Sequence, residues 1–252
     1  MPVTALLGRL KQGHRTIGFP VSEPVLPDRY RGRPALDAAK CEAGCEACAA
    51  VCPTQALRIK KGKPGIDLGA CLFCGECAGA CKSGALRFTR EYSLAARTRA
   101  DLQAGLEPAK LAAALDAKAR SLFGRSLKLR QVSAGGCNAC EADTNVLNTV
   151  VFDLGRFGVQ FVASPRHADG LLITGPVPQN MRLALEKTWE ATPAPKIAIA
   201  VGACAIAGGP FAGHPEVAGG AAAVVPIDLF VPGCPPHPIT ILDGILRLLG
   251  RR

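Results

Sequence analysis

Aromatic side chains are scarce: nine Phe, two Tyr and one Trp in 252 residues. A protein that reads single-stranded nucleic acid by stacking bases wants aromatics interleaved with its basic residues, and this chain does not supply them. Long apolar runs are also missing. None reaches the roughly 18 residues needed to span a bilayer, and the most apolar stretch, 221–231, is interrupted by Pro226 and Asp228. The opening MPVTALLGRLKQGH has a short apolar stretch followed by Lys11, His14 and Arg15. It shows neither a small-residue cleavage site nor a twin-arginine leader, so the expectation is a chain retained on the cytoplasmic side with its thiols reduced. No Walker-type phosphate loop or flavin motif is present. Histidines number four, and none is needed as a metal ligand, because the cysteines suffice for three four-coordinate sites.

Cysteine is what the chain has in excess, twelve residues of it. With 48% hydrophobic residues the chain can bury two cores. The net charge of +10 lies in one half: residues 1–130 carry 22 Lys and Arg against 11 Asp and Glu, and residues 131–252 carry 8 against 9. A basic half fits nucleic acid, an anionic membrane surface or an acidic partner, and fits equally a solvated face beside anionic metal clusters.

Four segments separate by composition. Residues 1–36 form an arm rich in Pro and Arg, with a short helix expected at 5–11 and extended chain beyond it. Residues 37–92 hold eight cysteines. Residues 93–125 read as a linker of two short helical pieces broken at Pro108, with Leu111, Leu115 and Leu122 as a packing stripe. Residues 126–252 alternate strands (127–132, 159–163, 170–174, 196–201, 224–231) with helices (142–152, 179–190, 238–249), which predicts a parallel sheet covered on both faces.

The eight-cysteine segment is a repeat. Cys45, Cys48 and Cys52 recur as Cys74, Cys77 and Cys81 at an offset of 29, and Ala56-Leu57-Arg58-Ile59 recurs as Ala85-Leu86-Arg87-Phe88. The offset places the first cysteine at position 42; Glu42 stands there and Cys41 lies one residue earlier, a slip that Gly44 can absorb. Cys71, Cys74, Cys77 and Cys81 read C-x2-C-x2-C-x3-C, the iron–sulfur spacing of bacterial ferredoxins. Zinc is the alternative, but structural zinc sites separate two Cys pairs by a longer stretch. Here four cysteines crowd into about a dozen residues, twice over. Lys82 stands where a Pro follows the fourth cysteine in such runs, whereas Pro53 follows Cys52. The ferredoxin resemblance implies two [4Fe-4S] clusters, one on Cys71, Cys74, Cys77 and Cys52, the other on Cys41, Cys45, Cys48 and Cys81.

Cys137, Cys140, Cys204 and Cys234 are far apart, yet each follows a predicted strand within a Gly-containing turn: GGCNAC, GAC and PGCPP. The carboxyl ends of parallel strands share one edge of a sheet, so the three loops can converge. GGCNACEAD, VASPRHADGLLITG, VGACAIAGG and VPGCPPHP resemble the small subunit of membrane-bound, energy-converting [NiFe] hydrogenases of the formate hydrogenlyase type. They are similar also to the respiratory complex I subunit that holds the last cluster before quinone. The 1–92 part resembles the two-cluster ferredoxin-like subunit of the same complexes, including PxRxRGxPAL over Pro27, Arg29, Arg31, Pro34 and Leu36.

The resemblance implies a fusion: an α+β two-cluster ferredoxin-like domain, then an α/β flavodoxin-like domain whose four cysteines hold a third, proximal [4Fe-4S] cluster. The implied partners are a hydrogenase-type large subunit, membrane subunits and a further ferredoxin or iron–sulfur donor, with no nucleic acid. The implied place is peripheral, on the cytoplasmic face of the inner membrane. The two-residue gap between Cys137 and Cys140 favours the hydrogenase branch. Ala139 and Asp143 depart from that branch's C-N-G-C-x-x-E pattern. Glu141 or Asp143 is the candidate proton relay, against the alternative that both serve the N-terminus of the following helix. His167 and His237 read as structural or interface residues, His14 and His214 as solvated, and Met181 and Trp189 as core or subunit contact.

Overall fold

The computed structural model describes residues 3–37, 39–60, 63–103 and 111–252. The chain opens with helix α1 (Val3–Gln12) and then runs without regular structure to strand β1 (Pro34–Leu36). This arm is fastened to the far half of the molecule. The Thr16 hydroxyl donates to the Val150 carbonyl (2.7 Å), and the Ile17 N–H to the Val151 carbonyl (2.9 Å). Arg156 donates to the carbonyls of Ile17 and Phe19, and Phe19 and Leu26 enter the main core.

Helix α2 (Ala47–Ala50), strands β2 (Leu57–Lys60) and β3 (Lys63–Ile66), helix α3 (Glu76–Ala80) and strand β4 (Leu86–Phe88) complete the first unit. Two antiparallel pairs result, β1 with β4 and β2 with β3. Pro34 pairs with Phe88, and Pro64 with Ile59. Advancing Pro34 by 30 gives Pro64, and advancing Ile59 by 29 gives Phe88. The duplication therefore covers whole β-α-β units, with the offset changing by one residue between the first two cysteines. The change falls at Gly44, whose φ of +77° only glycine adopts readily and around which a Cβ would meet nothing. Equivalent hydrogen bonds follow the same rule: Asp37 N–H donates to Ala85 O and Asp67 N–H to Ala56 O, both at 2.8 Å.

The linker differs from expectation. Among the described residues it contains a 3-10 turn at Asp101–Gln103 and helix α4 (Ala117–Phe123); Pro108 lies outside the described residues. Leu111 and Leu115 precede α4, and Leu122 is exposed, so the three do not form one stripe. Leu115 packs in the core instead, its N–H donating to the Leu248 carbonyl.

The second unit is a five-stranded parallel sheet in the order β6 (Val159–Phe161), β5 (Leu127–Ser133), β7 (Gly170–Thr174), β8 (Ile197–Val201), β9 (Leu229–Val231). This is the doubly wound order of flavodoxin-like folds. GLLIT and IAIAV are buried throughout, as central parallel strands covered on both faces must be. Helix α5 (Ala139–Val146) is shorter than predicted, α6 (Gln179–Ala191) and α8 (Pro238–Leu248) fall within a residue of expectation, and α7 (Ala203–Ala207) had no prediction. The strand predicted over 224–231 shrinks to β9, because a 3-10 turn at Ala221–Ala223 and then Pro226 hold its first half out of the ladder. One core lies under α8 and takes in the arm. The other lies on the opposite sheet face and includes Ile66, Leu68 and Cys71 with Ile206 and Phe230, so the first unit packs directly on the second.

Candidate iron–sulfur centres

The twelve cysteines, none of them in a disulfide, fall into three groups of four around three separate cavities. Cys41, Cys45, Cys48 and Cys81 line one, with Leu36, Ile59 and Pro64 from the strands. Cys52, Cys71, Cys74 and Cys77 line a second. In each, three sulfurs come from one loop and its short helix, and the fourth crosses from the other repeat. Each crossing cysteine has a hydroxyl two residues on: Thr54 Oγ1 is 4.0 Å from Cys52 Sγ and Ser83 Oγ is 3.6 Å from Cys81 Sγ. These hydroxyls went unread in the sequence, although CPT and CKS occupy equivalent places in the repeat.

Cys137, Cys140, Cys204 and Cys234 line the third cavity. Cys137 leaves β5 through Gly135-Gly136, Cys140 sits in the first turn of α5, Cys204 opens α7 after β8, and Cys234 follows β9. Gly175, at the end of β7, closes the remaining wall. Gly202 shows how close the loops come: its φ is +91°, and a Cβ there would lie 2.5 Å from Cys140 Sγ.

Burial and crowding push these thiols up. Desolvation, then the neighbouring sulfurs, raise Cys71 to about 12 and Cys77 to about 11. Cys204 is raised to about 11 by desolvation and then by Cys234 and Cys137. Cys140 is raised further, by desolvation and then by Glu141 and the other three sulfurs. Cys48 is raised by burial and by Cys81 and Cys45, and Cys81 is lowered by the Ser83 hydroxyl. Four such thiols can ionise together only around a positively charged centre, which is what iron supplies. Among the described residues no three His, Cys, Asp or Glu side chains are drawn together to hold a metal ion. All three sets are four cysteines, and two of them take three ligands from one short loop, which matches iron–sulfur cluster ligation better than the widely separated cysteine pairs of structural zinc sites.

The two candidate acids separate. Glu141 is buried, and its Oε1 accepts hydrogen bonds from Ser133 Oγ and Thr174 Oγ1, both at 2.6 Å. Burial pushes its carboxyl up, but the two hydroxyls and a backbone N–H outweigh that and hold it below the ordinary carboxylate range. Asp143, raised by burial, faces a different cavity of about 230 Å3 with Arg29, Tyr30, Arg31, Cys234 and His237. His237 Nδ1 accepts the Ile239 N–H at the start of α8, and its ring meets Tyr30 edge-on at 5.5 Å. His14, His167 and His214 are exposed; Met181 and Trp189 pack on the second core.

The groups also have an order: Leu72 and Phe73, between Cys71 and Cys74 of the second group, line one cavity with Cys234 of the third. Arg31 sits at this junction, its Nη1 donating to the Phe73 carbonyl and its guanidinium against Gly75.

Residues 30–85 match the 4Fe-4S dicluster domain, and residues 137–248 match the NADH ubiquinone oxidoreductase 20 Kd subunit. Over 127 residues the chain is 43% identical to a probable membrane-bound hydrogenase subunit of Pyrococcus furiosus, covering 50% of this chain and 76% of that one. The chain belongs to the 20 Kd subunit family. Within this family it is 44% identical over 126 residues to formate hydrogenlyase subunit 7 of Escherichia coli, covering 50% of this chain and 49% of that one. It is 41% identical over 116 residues to an NADH-quinone oxidoreductase subunit of Heliobacterium modesticaldum, covering 46% and 66%. The chain thus spans about half the length of the formate hydrogenlyase relative. Here a 20 Kd subunit domain and a 4Fe-4S dicluster domain share one polypeptide.

Proposed function

We infer that this chain carries electrons for a membrane-bound [NiFe]-hydrogenase-type oxidoreductase, holding three [4Fe-4S] clusters in file. The observation that carries the reading is the grouping of all twelve cysteines into three foursomes, the second next to the third across the cavity that Leu72, Phe73 and Cys234 line. When bound, such clusters supply reversible one-electron storage.

The chain's own residues fix the rest. Cys41, Cys45, Cys48 and Cys81 hold the outermost centre; Cys52, Cys71, Cys74 and Cys77 hold the middle one. Cys137, Cys140, Cys204 and Cys234 hold the proximal one at the sheet edge, where a large subunit docks. Glu141 stays ionised behind Cys140, tied to Ser133 and Thr174, and keeps negative charge beside that centre. Asp143 is the acid for moving a proton, because it is raised by burial and opens on a cavity rather than being locked by hydroxyls. The membrane subunits of the complex and an iron–sulfur donor are the remaining partners, and the place is the cytoplasmic face of the membrane. Among the described residues no helix is long and apolar enough to cross a membrane.

A second reading keeps the relay but has quinone reduction or ion pumping at its end without hydrogen turnover; the similarity to the NADH-quinone oxidoreductase relative favours it. A large subunit encoded alongside with two C-x-x-C pairs decides for hydrogen, and one without them for quinone.

Anaerobically prepared protein is expected to be brown and to hold about twelve irons. Cys204→Ser should remove about four irons and one set of paramagnetic signals after dithionite reduction, leaving the other two sets. Colourless protein with stoichiometric zinc, or no paramagnetic signals on reduction, would overturn the reading.

A further inference from the structure

Helix α1 buries no residue. Val3, Leu6, Leu7 and Leu10 are 73%, 59%, 55% and 75% exposed. At about 100° per residue these four fall within an arc of roughly 100°. Arg9 flanks one border of that arc and Lys11 the other. Thr4, Ala5, Gly8 and Gln12 make up the opposite side. An apolar stripe bordered on both sides by long cationic side chains is the arrangement in which the stripe enters hydrocarbon and the cations reach back to headgroups.

The surroundings carry the same signature. Between Val3 and Ser22 there is no acidic residue, while His14 and Arg15 follow the helix directly. The helix ends where Gly13 N–H donates to Arg9 O, and the chain is then fastened by Thr16 and Ile17 to Val150 and Val151. Those two valines are themselves 66% and 40% exposed, and Val21 and Val25 farther along the arm are almost fully exposed. A face this apolar, on an arm held down at its base and flanked by Arg9, Lys11 and Arg15 with no acidic residue before Glu23, matches an anionic lipid surface. A protein partner with an apolar groove would not need cations on both borders.

We propose that α1 is an interfacial helix that lies in the headgroup layer of a membrane containing anionic lipid, with Val3, Leu6, Leu7 and Leu10 inserted and Arg9 and Lys11 paired with lipid phosphates. This deepens the membrane association of the proposed function but rests on the helix alone. One ten-residue face gives weak, reversible binding, so it acts as a second attachment alongside docking to membrane subunits.

The test uses the full, cluster-loaded chain and flotation with two kinds of protein-free vesicle: phosphatidylcholine alone, and phosphatidylcholine mixed with phosphatidylglycerol. The protein should float with the mixed vesicles and much less with the neutral ones. The doubly substituted Leu6→Glu/Leu10→Glu chain should partition roughly a hundredfold less or worse. Arg9→Gln/Lys11→Gln should lose about thirtyfold on the mixed vesicles and little on the neutral ones. All four positions are exposed, so iron content and visible spectrum should be unchanged, and a failure of the iron–sulfur reading would show there and not in flotation. The proposal falls if the unaltered chain ignores both vesicles, or if Leu6→Glu/Leu10→Glu floats as well as it does. Retention on native membranes without binding to lipid vesicles would assign the face to a membrane protein and overturn the lipid assignment.

Discussion

The two halves of the molecule gather four sulfurs in different ways. In the dicluster unit, short loops do most of the work: C-x2-C-x2-C puts three thiols around one cavity before any long-range packing is needed, and one crossing residue completes it. In the 20 Kd subunit domain, four cysteines arrive from three strand ends, and nothing brings them together except the completed sheet. The first arrangement can absorb local change in the backbone. The second depends on where whole strands end, so its loops have no slack. The one-residue slip in the first repeat illustrates the tolerance: Cys41 is displaced along the chain, yet it still lines the same cavity as Cys45, Cys48 and Cys81.

A matched pair of glycine substitutions sharpens this contrast, and carries the largest expected effect. Gly44 and Gly202 both have positive φ, +77° and +91°; alanine costs about 1–2 kcal/mol of backbone strain at Gly44 and up to about 3 kcal/mol at Gly202, whose ψ of 156° puts it in a region essentially reserved for glycine. At Gly44 the added methyl meets nothing; at Gly202 it lands on Cys140 Sγ. Gly202→Ala should therefore lose the proximal cluster, about four of twelve irons, whereas Gly44→Ala should keep its full iron with a slightly lower melting temperature. Equal iron loss in both would mean that the two regions do not differ as described.

The second contrast lies inside the duplication. Asp67 and Asp37 occupy equivalent positions after β3 and β1. The Asp67 carboxylate accepts both arms of Arg99 and the Gly69 N–H, with the Arg99 and Asp67 side chains only 29% and 23% exposed. Asp37 pairs with Lys40 at 3.4 Å, the lysine and aspartate side chains being 63% and 44% exposed. The repeat packed against the sheet has a half-buried two-pronged clamp where the outer repeat has a solvated ion pair. Arg99→Gln should cost about 1–2 kcal/mol in anaerobic denaturant unfolding, and Lys40→Gln less than about 0.5 kcal/mol. Comparable losses would contradict this difference in anchoring.

Legibility in the sequence followed the same divide. Eight cysteines at fixed spacing gave the dicluster unit directly, because the constraint is local. The slip at Gly44 was visible as a mismatch, but its meaning needed the strand register, since Pro34 and Pro64 align only when the offset upstream becomes 30. In the second unit the buried strands were readable as unbroken apolar runs. The same rule overran β9, since the apolar residues 224–227 follow the 3-10 turn at Ala221–Ala223 and lie outside the ladder, with Pro226 lacking the N–H to join it. Helix α7 escaped because ACAIA is one turn between Gly202 and Gly208. The pairing of Glu141 with Ser133 and Thr174 could not be read at all, because Thr174 reaches it only through the order of the strands.

The smallest effect tests whether the arm and the sheet domain act as one body at their junction. His237 caps α8 through Nδ1, which requires that nitrogen to be unprotonated, and Tyr30 from the arm covers its ring. Burial lowers its pKa below the ordinary 6.5. The unfolded chain therefore binds a proton on this residue at a higher pH than the folded one does. The stability it contributes is complete above about pH 6.5 and drains away as pH falls from there through the folded value. His237→Asn keeps a capping acceptor and removes the titration. Between about pH 7 and pH 5 the unaltered protein should lose more stability than the variant. Parallel pH profiles would mean that water reaches the ring freely and that Tyr30 does not seal the junction. Steeper loss in the variant would place the titrating group elsewhere, with Asp143 across the same cavity the first to examine.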